Sequence, residues 1–111
     1  MDFTSEQIKV TLSALEPDAN SDDIAHAVRE TLDHFAKLHP GRSVEVRVPP
    51  YRVVQIGGGT THRRGTPPAV VEMNPHTWLS LIAGEVNWSD AAAQGLIQAS
   101  GIGSDLANLF D

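Results

Sequence analysis

The pattern of apolar and polar positions predicts two helices in the first third of the chain. Apolar residues there recur every three or four positions, as on one face of a helix. The first helix begins after Thr4, with Gln7 as its capping-box partner, and ends before Pro17. The second runs from about Ser21 to His39. Its apolar stripe consists of Ile24, Val28, Leu32, Phe35 and Leu38.

The apolar period changes from about four to two after Gly41, which predicts extended structure. Three valines at 44, 46 and 48 alternate with polar residues, as in a strand with one buried face. Further strands are predicted over residues 51–56, 69–73 and 96–100, with a possible short strand around 61–64. The Gly57-Gly58-Gly59 and Gly65-Thr66-Pro67-Pro68 segments separate them.

Helix signals return after the third of these strands. Asn74-Pro75 predicts a helix start, and Gly84 its end. A short helix from Asp90 to Gln94, capped by Ser89, and a last helix from about Ser104 to Phe110 follow. Since helices flank the strands instead of alternating with them, we expect an α+β fold with a mostly antiparallel sheet and helices on one face. We expect a single domain over residues 1–111, with N-terminal helices at 4–39 and the strand block and C-terminal helices at 41–110.

Length and composition exclude several classes of protein. A chain of 111 residues fits one domain, and the absence of cysteine excludes disulfides, thiolate zinc sites and thiol nucleophiles. The acidic start lacks the basic and apolar regions of a signal peptide, and the apolar stretches are too short for a membrane span. We therefore expect a cytoplasmic protein without an integral membrane segment.

The charge is unevenly distributed along the chain. The net charge of −6 divides into −5 for residues 1–40, +3 for 41–72 and −4 for 73–111. An acidic chain is a poor candidate for binding nucleic acid. The basic middle third contains His62, Arg63 and Arg64, which could hold a phosphate or carboxylate head group. The same residues could instead protect an exposed strand edge from pairing with other chains.

No motif indicates catalysis, a metal or a cofactor. His26, Glu30 and His34 share one helix face, but it lies opposite the apolar stripe and therefore faces solvent. The glycine cluster fits neither the GxxxxGK[ST] nor the GxGxxG pattern, and the chain has no GxSxG motif. We expect a protein that is not an enzyme and holds no metal or other cofactor.

Two apolar helix faces in the last third of the chain have two possible uses. They could pack on the sheet as ordinary core, or they could enclose a cavity for a lipid. Periodicity does not distinguish these alternatives. The residues on the two faces are Trp78, Leu81, Ile82, Leu106, Leu109 and Phe110.

A series of short motifs between residues 41 and 110 forms the most distinctive pattern of the chain. Its clearest parts are Arg64-Gly65-Thr66-Pro67-Pro68 and Val70-Val71-Glu72. The pattern resembles the small actinobacterial branch of the sterol carrier protein family. The last part of the chain also resembles the pattern at the C-terminus of that family. The other matching positions are Arg47-Val48-Pro49-Pro50-Tyr51, Val54-Gln55, His62, Thr77-Trp78-Leu79, Leu81, Gly84, Trp88, Ala91, Gly95, Ala99-Ser100-Gly101 and Asp105-Leu106.

The resemblance implies a fold of about five strands with helices over one face and an apolar tunnel between them. The two helix faces above would then border the tunnel, and His62 and Arg64 would belong to a loop shared within the branch. A hydrophobic or amphiphilic small molecule is the implied partner. The alternative is an accessory module with the same fold and a filled core, acting through a protein partner or as a homodimer. A similar domain also occurs at the C-terminus of mycothiol-dependent maleylpyruvate isomerase relatives, whose metal chemistry lies in another domain.

Overall fold

The computed structural model describes residues 2–57 and 69–110 and has a mixed α+β architecture. The elements lie almost where the hydrophobic pattern predicts them. In chain order they are α1 (Ser5–Ala14), α2 (Ser21–Leu38), β1 (Val44–Val48), β2 (Arg52–Ile56), β3 (Ala69–Met73), α3 (Pro75–Ala83), α4 (Trp88–Ala93), β4 (Ile97–Ser100) and α5 (Ala107–Phe110).

The described strands form one mixed sheet in the order β2-β1-β3-β4. The outer pairs β1–β2 and β3–β4 are antiparallel, whereas the central pair β1–β3 is parallel, with Val44 opposite Ala69. The sheet therefore has four strands in the described part of the chain, not five, and is not uniformly antiparallel. The predicted short strand at 61–64 lies outside the described residues. A period of two identifies strands but carries no information about their direction.

The helix signals place most helix ends correctly. Thr4 forms the predicted capping box with Gln7: the Thr4 hydroxyl accepts from the Gln7 N–H, and the Gln7 side chain accepts from the Thr4 N–H. The Asn74 side chain accepts from the Thr77 N–H at 2.8 Å, and α3 ends at Gly84 in the left-handed region with a φ of 75°.

Several predicted boundaries are wrong by one to three residues. Helix α4 is capped by Asn87, not Ser89, since its side chain accepts from the Asp90 N–H at 2.8 Å. Helix α5 begins at Ala107, not near Ser104, because an Asp105 carboxylate oxygen accepts from the Ala107 N–H. Strand β2 begins at Arg52, because the preceding residue belongs to the turn that follows β1.

The core lies between one face of the sheet and the helices. Alternate residues of β1 and β3 are buried, and residues of α1 to α4 belong to the same apolar cluster. On the opposite face of β1, Glu45 and Arg47 form an ion pair at 2.6 Å. Helices therefore cover one face of the sheet, as predicted.

Candidate functional site

A surface cleft lies between the end of α3, the start of α4 and the ring of Phe110. It is an open, mostly polar groove with a volume of about 430 Å3. Gly84 lies in its wall, and the left-handed turn there directs the chain from α3 toward α4. The lining residues are Leu81, Gly84, Glu85, Val86, Asn87, Asp90, Gln94 and Phe110.

Phe110 separates this cleft from a cluster of aromatic side chains in the core. Its ring stacks on Phe35 at a centroid distance of 5.2 Å and on Trp88 at 5.5 Å, and it meets Trp78 edge-on at 5.8 Å. Phe35 and Trp78 are fully buried, whereas Phe110 is half-buried. The Phe110 side chain thus lines the open cleft and also contacts the buried aromatic rings.

The innermost member of the aromatic cluster is fixed by hydrogen bonds. The Trp78 Nε1–H donates to the Thr31 hydroxyl at 2.9 Å, and that hydroxyl donates to the Ala27 carbonyl at 2.7 Å. Thr31 is buried on α2, where a hydroxyl needs such partners. The indole is therefore held in one orientation while Phe110 is held by ring contacts.

The six residues predicted to border a lipid tunnel lie in one region of the molecule. Trp78, Leu81, Ile82 and Leu106 are buried, and Leu109 and Phe110 are half-buried against the same cluster. Leu81 and Phe110 also line the cleft. The geometry is compatible with both uses that the sequence leaves open, so the assignment of these residues to a lipid stays a prediction.

The sequence of the chain matches a protein-family model. A model described as bacterial SCP ortholog, where SCP denotes sterol carrier protein, matches residues 20–111. The chain belongs to this bacterial SCP family. A search among curated proteins found no match. Helix α1 precedes the matched region, and it packs against α2 and α3.

Some residues around the cleft of this SCP-family chain do not follow from its sequence. The hydrophobic pattern places Phe35 in the apolar stripe of α2 without a role in the site, and Trp88 enters only through the family resemblance. Both contact Phe110. The one feature of the sequence that could have indicated these contacts is that both residues are aromatic, because aromatic side chains tend to pack against one another in a small core.

The cleft wall of the SCP-family chain is acidic. Glu85 and Asp90 line it, and none of the lining residues given above is Lys or Arg. This agrees with the charge of −4 over residues 73–111, which contain no Lys or Arg at all. The predicted head-group residues His62, Arg63 and Arg64 lie outside the described residues.

The polar residues His26, Glu30 and His34 belong to an ordinary helix surface on α2. His26 and Glu30 are exposed on α2, and the His34 Nε2 lies 2.7 Å from the Asp2 carbonyl. In residues 2–57 and 69–110, no three His, Asp or Glu side chains are placed to share a metal ion. None of the helices in this part of the chain is both long and apolar enough to cross a membrane.

Proposed function

We propose that the protein is a non-catalytic module that binds the apolar tail of a lipid or fatty acyl molecule. Membership of the bacterial SCP family supports a lipid-binding module in general terms. The observation that carries the more specific proposal is Phe110, a half-buried ring between the cleft and the aromatic cluster.

The acyl chain would enter by taking the place of the Phe110 ring. Helix α5 has only four residues, and a single helical turn has little stability apart from its packing. In that position the acyl chain would pack on the faces of Phe35 and Trp88, so these two rings would keep an apolar neighbour and much of its dispersion attraction. The buried Trp78, fixed by Thr31, would form the inner wall.

The charge of the cleft wall suggests which end of the ligand enters. Glu85 and Asp90 would repel an anionic head group at short range. In the proposal the apolar tail therefore takes the position of the Phe110 ring against Phe35 and Trp88, and an anionic head group lies away from the cleft wall, toward the basic segment. In the proposal, His62, Arg63 and Arg64 supply that positive charge.

The position of the two tryptophans allows a direct test. Trp78 and Trp88 are the only tryptophans of the chain, and each ring centroid lies within 5.8 Å of the Phe110 ring. Fatty acids that carry bromine along the chain quench indole fluorescence on contact. We expect saturable quenching by brominated acyl chains, with the same occupancy measured by native mass spectrometry. The matched control is the unbrominated acid, which should compete without quenching.

Two results of the quenching experiment would contradict the proposal. If no acyl chain between ten and eighteen carbons quenches or binds saturably, the proposal is wrong. If binding occurs but neither tryptophan is quenched, the ligand lies elsewhere and the role of Phe110 is wrong. In the Trp88→Phe variant, the remaining signal reports contact at Trp78 alone.

A second candidate function is a protein-interaction module with a filled core. It is favoured by the full burial and mutual contact of Phe35 and Trp78, whose rings meet edge-on at 5.3 Å. In this case the aromatic cluster is ordinary core, and Phe110 closes it permanently. Native mass spectrometry would then find the protein without an amphiphile at every lipid concentration, and pull-down with the intact chain would be the productive experiment.

A further inference from the structure

The edge strand β4 differs from most edge strands in lacking any protection by charge. Exposed edges are usually guarded by charged residues or proline, because their free N–H and C=O groups can pair with another chain. The segment from Ala91 to Ser104 contains no Asp, Glu, Lys, Arg or Pro. In the part of the chain that the structure describes, no strand pairs with the outer side of β4.

The pairing of β3 shows which groups of β4 point outward. The Ala69 N–H donates to the Ser43 carbonyl, so Ala69, Val71 and Met73 direct their backbone groups toward β1. Val70 and Glu72 must then direct theirs toward β4, since backbone groups alternate in direction along a strand.

The partners of Val70 and Glu72 in β4 are Ser100 and Gln98. The N–H and C=O groups of Ile97 and Ala99 therefore face away from the sheet. Gln98, Ala99 and Ser100 are all exposed, and a shallow cleft of about 460 Å3 lies against both β3 and β4, with Val70 and Glu72 in its lining.

The sequence of the edge is self-complementary about Ala99. In an antiparallel pair of identical strands with Ala99 on the two-fold axis, the outward groups of Ala99 bond to those of the other Ala99. Beyond the ends of the paired strands, this register brings Leu96, the residue before β4 in one copy, next to the turn after β4 that carries Ile102 in the other. Leu96 is 37% exposed and Ile102 is fully exposed, and both are among the few large apolar residues with high exposure. Pairing would cover both.

We propose that β4 is a self-association edge, through which two copies of this chain join their sheets antiparallel with Ala99 at the two-fold axis. Each copy carries a net charge of −6, but the paired β4 strands contain no charged residue. Pairing them therefore brings no like charges into direct contact. Because a single strand pair with two apolar contacts forms a small interface, the dimer is weak, with a dissociation constant of roughly 10–500 μM. The proposal does not depend on lipid binding.

Sedimentation velocity over a range of concentrations tests the association with the full chain. We expect the weight-average mass to rise toward that of a dimer, and Ile102→Lys to weaken association at least tenfold. Because Ile102 is fully exposed, this variant should keep its fold. Leu12→Lys is the matched control, since Leu12 is 49% exposed on α1 and far from β4 in sequence. Each Lys lowers the net negative charge of the chain and so lessens the repulsion between copies, and an equal loss of association in both variants would show an effect not specific to β4 and would overturn the proposal.

A cysteine cross-link tests the register. The chain has no cysteine, so Ala99→Cys introduces the only thiol, and two copies paired at this position bring the Cα atoms within disulfide range. We expect rapid oxidation to a covalent dimer, with Leu12→Cys remaining largely monomeric. A chain that stays monomeric up to about 1 mM and does not cross-link through Cys at position 99 would overturn the proposal, even if an extended peptide from another protein bound the same edge.

Discussion

The Trp78 indole on α3 donates its hydrogen bond to the Thr31 hydroxyl on α2, and both groups are buried. These residues lie 47 positions apart in the chain. A hydrogen bond between two helices at this depth fixes their relative position more specifically than apolar contact does. It also fixes the indole that forms the inner wall of the proposed lipid site.

Thr31→Val should destabilise the protein by about 1–3 kcal/mol, because it leaves the Trp78 N–H buried without an acceptor while preserving the shape of the side chain. Urea denaturation followed by circular dichroism measures this. The control is the same substitution in a Trp78→Phe background, where the donor is already absent and the additional cost should be smaller. Equal costs in the two backgrounds would contradict a role for this hydrogen bond.

Phe110 and Trp88 should be energetically coupled, because their rings stack at 5.5 Å with an interplanar angle of 21°. Phe110→Leu and Trp88→Leu keep apolar bulk and remove the rings. A double-mutant cycle on the free energy of unfolding should give a coupling of about 0.5–1.5 kcal/mol. Strict additivity would mean that α5 does not hold Phe110 against Trp88 in solution.

Gly101→Ala should cost more stability than Gly103→Ala. Both glycines have a positive φ, of 93° and 88°, and either substitution should cost about 1–2 kcal/mol from backbone strain. A Cβ at Gly101 would in addition lie 2.9 Å from the Cα of Ala69, whereas at Gly103 it would meet nothing within 4 Å. Thermal unfolding of the two variants isolates this steric contribution, and equal melting temperatures would argue against the close approach of β3 to this turn.

Arg63→Ala combined with Arg64→Ala should weaken the binding of acidic amphiphiles more than that of neutral ones of equal chain length. The reason is that the variant removes two positive charges from the only basic third of the chain. Competition against a brominated fatty acid, with the matching alcohol as control, measures the difference. An equal loss for acid and alcohol would contradict a head-group role while leaving tail binding intact.

The elements of the fold are predictable where a local signal decides them. Thr4, Asn74 and Gly84 each satisfy backbone groups within a few residues, so their positions follow from sequence alone. The cap of α4 does not, because Asn87 and Ser89 are equally good caps in isolation. In the structure Asn87 is the cap, and Trp88 is buried at the first helical position.

Some apolar residues of the candidate site are predictable from the sequence, but Val86 and the arrangement of the site are not. Trp78, Leu81 and Phe110 follow from helical periodicity and from the family pattern. That Phe110 lies between a cleft and Phe35 depends on how α5 packs against α2, across most of the length of the chain. Such long-range packing has no counterpart in local periodicity, which is also why the hydrophobic pattern does not predict the parallel pairing of β1 with β3.

The parallel pairing at the centre of the sheet has a consequence for the order of folding. Strands β1 and β2 are joined by a short turn and can form a hairpin early, since little chain entropy is lost on closing it. The contact between Val44 and Ala69 requires a much longer loop to close. We therefore expect the β1–β2 hairpin to form first and β3 to dock on it later, so that the parallel ladder at the centre of the sheet is completed only after the hairpin.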